Sequence, residues 1–229
     1  TYTIPVETSV YSDYSPDISL CYNSLSGEGD AGYGWNLCGL SSITVRGWNR
    51  YYDGEYKVAD YRSPDSVYAL DGDPLVANDL CVADKAYRYI TAHGKALVRR
   101  INNEDGTPRC FKVRFPDGSK ATYGDENCYP ATYNYQITER EDALGNKIRY
   151  IYEQEEYEGY RNPVRIDYGF LGHGTPRAQI CFNFVQVHDY YPTTYFANWR
   201  QTRLSRLGSI ESISNGEQIR KYTLSFDTL

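Results

Sequence analysis

The stretch that decides the fold is residues 16–43, which read Pro-Asp-Ile-Ser-Leu-Cys-Tyr-Asn-Ser-Leu-Ser-Gly-Glu-Gly-Asp-Ala-Gly-Tyr-Gly-Trp-Asn-Leu-Cys-Gly-Leu-Ser-Ser-Ile. Ile18, Leu20 and Tyr22 alternate with smaller, more polar residues, which is the period-2 pattern of a half-buried strand. Four glycines then fall within eight residues, immediately before Trp35. Glycines at this density predict a tight loop whose backbone takes positive φ or approaches another segment closely, ending on a buried aromatic anchor.

This glycine-rich stretch does not predict a phosphate-binding loop. A Walker-type loop continues as Gly-Lys-Ser/Thr into a helix. Here the chain continues through Trp35 and Leu37 toward another predicted strand.

The order and spacing of these residues resemble the opening motif of SpvB-like N-terminal domains. Such domains occur in the Rhs/YD-repeat superfamily and in the B subunits of insecticidal toxin complexes, and their motif reads roughly P-x-[IL]-x-[IL]-x-Y-x-S-x-x-G-N-G-x-x-G-x-G-W-x-L. Glu28 stands where the family usually has asparagine, which leaves open what this side chain bonds here. The matching residues are Pro16, Ile18, Leu20, Tyr22, Ser24, Gly27, Gly29, Gly32, Gly34, Trp35 and Leu37.

Asp-Gly and Asn-Gly dipeptides divide the remaining chain into short alternating segments. Such pairs accept the positive φ values of type I′ turns, whose twist matches that of paired strands. Helical periodicity is almost absent, and the best helical candidate is a turn or two at residues 197–203. The sequence therefore predicts an all-β fold of antiparallel, hairpin-rich sheets with very little helix. The turn pairs are Asp53-Gly54, Asp71-Gly72, Asp105-Gly106, Asp117-Gly118 and Asn215-Gly216.

A further predicted hairpin resembles a degenerate YD repeat. Residues 136–141 lead into a turn at residues 142–146, and residues 147–153 return. The return contains Arg-Tyr-x-Tyr-Glu where the repeat core reads R-Y-x-Y-D, and the Gly-Arg of a full repeat is missing. Later segments follow the order seen in toxin-complex B relatives, so the resemblance covers most of residues 3–229. The YD-like residues are Gly145, Asn146, Arg149, Tyr150 and Tyr152.

Composition excludes several classes of partner. The formal net charge is −6 and no basic cluster interleaves with the aromatic residues, so we expect no nucleic acid and no anionic membrane surface. No segment approaches the ~20 apolar residues of a membrane span, so we expect no membrane insertion. The 25 tyrosines suit sheets that are wet on one side.

We interpret residues 1–229 as a single SpvB/Rhs-like β region, a fragment of a longer protein, with a soft internal boundary near residue 85. An acidic loop is predicted at residues 153–162 and a loop rich in tyrosine and proline at residues 189–198. The apolar alternation of residues 218–226 predicts a last strand with one unpaired edge, which would allow weak self-association.

The chain lacks the usual signatures of metal and cofactor sites. No C-x-x-C pair occurs among its six cysteines, for which free thiols are favoured over disulfides. His93, His173 and His188 are far apart in sequence, and Asp71-Gly72-Asp73 with Asp79 fits a hairpin turn better than a calcium loop. We therefore predict no metal and no cofactor. The cysteines are Cys21, Cys38, Cys81, Cys110, Cys128 and Cys181.

Three functions remain in competition. The resemblance implies a non-catalytic structural module of a secreted or cell-surface bacterial toxin-like protein, which contributes to an Rhs/YD-type β-shell that encloses or presents a C-terminal effector. Its partners would be the downstream YD repeats and the effector of its own polypeptide. The alternative is a module that binds cell-surface glycan or cell wall, which rests on tyrosine clusters such as Tyr129, Tyr133 and Tyr135. An enzyme has no nucleophile, metal or phosphate motif behind it, so we predict no catalytic residue.

Overall fold

A computed structural model of the chain describes residues 1–9, 14–60, 63–78, 88–124, 133–154, 161–170, 174–187, 193–196 and 199–226. Within these ranges the regular structure is strand apart from one four-residue helix, and every strand pair is antiparallel. The prediction of an all-β, hairpin-rich fold with very little helix is confirmed. No helix in these ranges is both long and apolar enough to cross a bilayer.

The strands and the helix follow one another along the chain with short connections. In chain order they are β1 (Tyr2–Pro5), β2 (Ser19–Tyr22), β3 (Glu28–Gly29), β4 (Gly32–Tyr33), β5 (Trp35–Cys38), β6 (Ser42–Arg46), α1 (Arg50–Asp53), β7 (Val67–Leu70), β8 (Asp73–Ala77), β9 (Tyr89–Thr91), β10 (Leu97–Asn102), β11 (Pro108–Arg114), β12 (Lys120–Tyr123), β13 (Asn134–Glu141), β14 (Lys147–Gln154), β15 (Arg161–Phe170), β16 (Pro176–Gln186), β17 (Thr193–Phe196), β18 (Trp199–Thr202), β19 (Ser205–Ser214) and β20 (Glu217–Thr223).

Two compact units divide the chain. One consists of residues 41–145, and the other combines residues 1–40 with residues 146–229. The soft boundary expected near residue 85 lies outside the described residues. That the whole chain acts as a single region stays a prediction.

The unit of residues 41–145 is built on a closed sheet. Its eight strands run in the order β12-β11-β10-β9-β8-β7-β6-β13, and β12 also pairs with β13, which completes the ring. Closure removes the unpaired strand edges through which open sheets aggregate. Three aromatic rings pack at its core: the centroid of Phe111 lies 5.0 Å from that of Tyr68 and 4.8 Å from that of Tyr135. All three residues are buried.

The predicted turn pairs fall into three classes. Asp71 and Gly72 have φ values of 48° and 82°, and Asn215 and Gly216 have 49° and 83°, so both pairs form the predicted type I′ turns. At Asp105-Gly106 and Asp117-Gly118 only the glycine has positive φ. There the hairpin closes through a type I turn followed by a left-handed glycine, with Gly106 N donating to Asn103 O at 3.1 Å.

The hairpin predicted at Asp53-Gly54 is wrong. Asp53 is the last residue of helix α1, and Gly54, at φ 80°, caps the helix by donating its N–H to Arg50 O. The Asn49 side chain accepts from Tyr52 N at 2.9 Å and so caps the start. An Asp-Gly pair can supply the left-handed glycine that ends a helix as well as the one in a hairpin turn. Here the N-cap at Asn49 favours the helix.

The second unit, residues 1–40 and 146–229, contains an open sheet in the order β14-β15-β16-β19-β20. It also holds a three-stranded sheet β1-β2-β5 and two short ladders, β3-β4 and β17-β18. Its core is formed by side chains that are almost completely buried, among them Ile166, Tyr168, Ile180, Leu207 and Ile210. Helix predicted at residues 197–203 is wrong, because Trp199–Thr202 pair with β17 as strand β18.

The first nine residues of this unit are hydrogen-bonded to strands β15 and β20. Ser9 N donates to Tyr168 Oη at 2.8 Å, and Glu7 N donates to Tyr222 Oη at 2.9 Å. The Glu7 carboxylate also accepts from the Arg220 guanidinium at 2.8 Å. These contacts join residues 159 to 215 positions apart, so both ends of the chain are needed to complete the unit.

Candidate functional site: a cleft beside the glycine motif

The glycine motif folds as a tight, ordered loop between β2 and β5, as its sequence predicts. Its tip is the two-residue ladder β3-β4, in which Glu28 lies opposite Tyr33. Gly34 N donates to Gly27 O at 2.9 Å, and Ala31 N donates to Trp35 O at 3.1 Å. Hydrogen bonds within the loop therefore pair several of its own backbone N–H and C=O groups.

Two glycines of the motif are required for different physical reasons. Gly34 has φ 78°, and a Cβ on it would lie 2.6 Å from the Tyr22 ring. A Cβ on Gly29 would lie 2.1 Å from Trp35 O, so close approach rather than φ demands glycine there. Gly32 has φ 103° and faces the Phe226 ring. Nothing in the structure explains the glycine at position 27.

Trp35 is only half-buried, so the prediction of a buried anchor is wrong in degree. It lies opposite Tyr22 across β2 and β5, with ring centroids 5.2 Å apart, and Tyr2 meets it edge-on at 6.4 Å. β5 is an edge strand of its three-stranded sheet, and Trp35 also lines an open cleft. Pro16, the first motif residue, is buried.

Asp30 makes three contacts, of which one reaches β19, one reaches Arg203 just before β19 and one stays within the glycine motif. Its carbonyl oxygen accepts from Leu207 N at 2.8 Å, its Oδ1 accepts from Arg203 Nη1 at 2.6 Å, and its Oδ2 accepts from Leu37 N at 3.1 Å. Sequence reasoning missed Asp30 and Arg203 because the two are distant in the chain. The signal present in the sequence was an acidic residue that directly follows two of the motif glycines, in Gly-Glu-Gly-Asp at residues 27–30.

Glu28 has a defined partner in this chain. Its Oε1 accepts from Arg206 Nη2 at 2.9 Å, and both side chains are mostly shielded from solvent. The Arg206 guanidinium carbon also lies 4.4 Å from the centroid of the Phe226 ring, a cation–π contact. Glu28, which departs from the family pattern, therefore forms an ion pair with Arg206, and Arg206 in turn contacts Phe226.

These residues enclose a cleft of about 660 Å³. Trp35, Leu20 and Ile4 form one side, and the segment from Tyr222 to Phe226 forms another. The charged side chains that line it, Glu28 and Arg206, pair with each other. The cleft is suited to bury an apolar or aromatic group.

Strand β20 borders this cleft and lies at the edge of its sheet. Among the described strands it pairs only with β19, as the sequence predicts for the last strand. Regular pairing ends at Thr223, and Leu224 N still donates to Gly208 O at 2.9 Å. Ile219 is half exposed on this edge.

The YD-like residues do not line the cleft. Gly145 closes a turn with φ 89°, donating its N–H to Asp142 O at 3.2 Å, and Asn146 is exposed. On β14, the Arg149 guanidinium lies 4.9 Å from the Phe170 ring centroid. Tyr150 and Tyr152 are buried on the other face of that strand, so this segment serves packing.

The described thiols differ in the direction in which their surroundings shift the pKa. Cys21, Cys38, Cys110 and Cys181 are free, in line with the expectation, while Cys81 and Cys128 lie outside the described residues. Burial opposes ionisation of Cys21, but hydrogen bonds from Cys38, Ser19 and Thr3 outweigh it and lower its pKa. Burial, together with the neighbouring Cys21, raises the pKa of Cys38 to about 12. Burial likewise raises the pKa of Cys110 and of Cys181.

No group of three or more metal-ligating side chains gathers among the residues that the structure describes. His93 is exposed and its Nδ1 lies 2.8 Å from Asp73 Oδ1, while His173, His188 and Asp79 lie outside the described residues. Asp71 accepts from Ser42 N at 2.8 Å, which ties its carboxylate to the sheet.

The comparison with protein families decides the assignment. The family model described as Salmonella virulence plasmid 65kDa B protein, SpvB, matches residues 1–168. The chain belongs to the SpvB family. The resemblance seen in its glycine motif is thereby confirmed, and no curated protein sequence matches this SpvB-family chain.

Solved structures share the fold of this SpvB-family chain at low identity. The N-terminal domain of effector protein SpvB from Salmonella typhimurium strain LT2 aligns with a TM-score of 0.66 at 16% identity, over 93% of this chain and 87% of that one. The TcdB2-TccC3 structure aligns with a TM-score of 0.71 at 14% identity, over 98% of this chain and 14% of that one. The Tc holotoxin pore of Photorhabdus luminescens gives 0.63 at 14% identity, over 92% and 12%. The chain thus spans a small part of the Tc polypeptides that it matches.

Proposed function

We propose that this chain is a non-catalytic structural module of a secreted or cell-surface bacterial toxin-like protein, contributing to a β-shell that encloses or presents a C-terminal effector. Its fold is that of an SpvB N-terminal domain and of a segment within much longer Tc toxin polypeptides. The observation that carries the proposal is the open side of β20 beside the cleft at the glycine motif.

The edge strand is suited to continue the sheet. A strand paired on one side presents N–H and C=O groups that another strand can use. Ile219 adds an exposed apolar side chain, while Arg220 and Lys221 carry charges that discourage indiscriminate pairing. In this role the next strand would come from the same polypeptide, from its downstream YD repeats.

The cleft is suited to receive the connection to that strand. Its aromatic walls, Trp35 and Phe226, can bury an apolar side chain, and the Glu28–Arg206 pair fixes the wall that holds Phe226. Burying about 100 Å² of apolar surface there would contribute roughly 2.5 kcal/mol. The partners proposed are thus the downstream repeats and the C-terminal effector of the same polypeptide.

Hydrogen exchange tests this proposal. Backbone amides on the open side of β20 are expected to exchange rapidly in the 229-residue chain and to become protected in the polypeptide encoded by the whole gene. Amides of β19, paired on both sides within the chain, should be protected in both and serve as the internal control. Equal, fast exchange of the β20 amides in both proteins would contradict the shell role.

Weak self-association is the related expectation for the chain alone. A second copy could pair with β20 across a two-fold axis. Sedimentation at high concentration should then show dimer, and Ile219→Lys should reduce it because a charge replaces an exposed apolar contact. If the unaltered chain stays strictly monomeric, the open edge of β20 does not pair with a second copy, and this expectation is wrong.

A module that binds cell-surface glycan or cell wall remains the second candidate. Tyr51, within helix α1, and Tyr56, shortly after it, expose most of their side chains, as sugar-stacking residues would. Tyr135 instead belongs to the buried core, and Tyr129 lies outside the described residues. Binding to a glycan array that Tyr51→Ala abolishes would favour this candidate.

A further inference from the structure

A second cavity lies in the unit of residues 41–145. It measures about 310 Å³, near the lower end of the range for ligand pockets. Strands β7, β9 and β11 supply its aromatic walls, Tyr68, Tyr89 and Phe111, and Trp48 adds a fourth ring. This cavity is independent of the cleft at the glycine motif and of the shell role.

The Tyr68 hydroxyl in this cavity has no hydrogen-bond partner among the described residues. Tyr68 is 3% exposed, so the orphaned hydroxyl is held away from bulk water. Burial is the main reason that its pKa rises to about 12, while the nearby Arg100 and Ser66 side chains oppose the rise. At neutral pH the group therefore keeps its proton and is an unused hydrogen-bond donor, buried just behind the cavity wall to which Tyr68 contributes.

Arg100 lines the same cavity as a half-buried cation. Its Nη1 donates to Pro64 O at 3.1 Å, and no carboxylate in the described ranges lies within ion-pair distance. A guanidinium offers five N–H donors in a planar fork that matches a carboxylate. An uncompensated half-buried guanidinium beside an orphaned hydroxyl forms a site for a single anionic group.

Two further charges border the cavity and limit what it can take. The Lys57 ammonium lies 4.5 Å from the Trp48 ring centroid, but it also pairs with Glu55 at 2.6 Å, so its charge is largely compensated. Asp65 is exposed at the rim and carries a negative charge. A ligand with several negative charges would be repelled by Asp65, whereas one carboxylate directed at Arg100 would not.

We propose that this cavity binds a small ring compound that carries one carboxylate. The carboxylate accepts hydrogen bonds from the Arg100 guanidinium, and a small shift of the Tyr68 side chain lets its buried hydroxyl donate to the same group. The ring packs against the aromatic walls, and the volume admits one ring rather than an oligomer. Acidic monosaccharides and aromatic acids share this chemistry, and both can be supplied as single compounds.

Calorimetric titration of the 229-residue chain with glucuronate and with 4-hydroxybenzoate tests the proposal, with glucose as the uncharged ring. At least one acid is expected to bind with a Kd of about 1 mM or tighter, and glucose is not. Binding of glucuronate alone would assign the site to acidic sugars, and binding of the benzoate alone would assign it to aromatic acids. Absence of binding by both acids at about 10 mM overturns the proposal.

Matched variants locate the binding. Arg100→Gln should weaken binding about tenfold or more, because it removes a charge-assisted pair. Arg99→Gln, on the exposed side of the same strand, should leave it unchanged. Tyr68→Phe should weaken binding several-fold while the Tm stays level or rises, since it removes an unsatisfied buried hydroxyl. Unaltered affinity in both Tyr68→Phe and Arg100→Gln would overturn the site even if an acid binds.

Discussion

The Asp30 carboxylate and the Arg203 guanidinium lie 173 positions apart in sequence and meet at 2.6 Å. Asp30 also accepts from Leu37 N and, through its carbonyl, from Leu207 N. One residue therefore fixes the glycine motif against β19. The ion pair is mostly shielded, so its loss leaves a charge that water solvates poorly.

Asp30→Ala should lower the free energy of unfolding by about 2 to 4 kcal/mol, because it removes the shielded ion pair with Arg203 and the acceptor of the Leu37 N–H. Urea unfolding measures the loss. Glu211→Ala removes the exposed ion pair with Lys221 and should cost about 0.5 kcal/mol or less. Equal losses in the two variants would show that Asp30 has no special place in the fold.

Gly34→Ala should destabilise the chain by about 2 to 3 kcal/mol, because alanine is strained at φ 78° and its Cβ meets the Tyr22 ring. Gly27→Ala is the matched control, since a Cβ there meets nothing within 4 Å. Its effect should stay within about 0.5 kcal/mol in the same denaturant titration. A control as damaging as the test variant would remove the steric explanation.

Trp35→Ala should cost about 2 kcal/mol, below the 3 to 5 kcal/mol typical of a fully buried tryptophan, because one side of its ring is open to the cleft. Tyr33→Ala, two positions earlier and 70% exposed, should change stability by less than about 0.5 kcal/mol. Thermal melts of the two variants compare them directly. A loss in Trp35→Ala as small as that in the control would make the motif peripheral to stability.

Cys21 should react with iodoacetamide at pH 8 faster than Cys38. The thiolate is the reactive form, and a lowered pKa increases its fraction at a given pH, whereas a pKa of about 12 leaves Cys38 protonated. Both residues are half-buried, so access alone does not separate them. Peptide mass spectrometry follows each site with time. Faster labelling of Cys38 would reverse the assignment of the ionised thiol.

Much of the fold could be predicted from local patterns. Alternating apolar residues in β2 and β11, and the Asp-Gly and Asn-Gly pairs, identify strands and hairpins because a strand's side chains repeat every two residues. The dipeptide does not fix the turn type, since aspartate accepts either sign of φ. Asp71 takes positive φ and Asp117 does not. Asp53-Gly54 ends a helix because Asn49, four residues earlier, caps its start.

The candidate site was only half accessible to sequence reasoning. The glycines and Trp35 stand together in one stretch, so their spacing reveals them. Arg203, Arg206 and Phe226 join that stretch only through tertiary structure, and no local pattern marks an arginine that pairs across more than 170 positions. The orphaned hydroxyl of Tyr68 is equally invisible in sequence, because it depends on what surrounds the side chain.

The division of the chain into an interrupted unit and a continuous one has a consequence for synthesis. Residues 41–145 are contiguous and can fold as soon as they leave the ribosome, whereas Asp30 must wait for Arg203. At about 5 to 20 residues per second, that wait lasts roughly 9 to 35 s. During it the first 40 residues can form the sheet β1-β2-β5 but not the contacts of Asp30 with Arg203 and Leu207, so the interrupted unit stays incomplete until synthesis has passed these two residues.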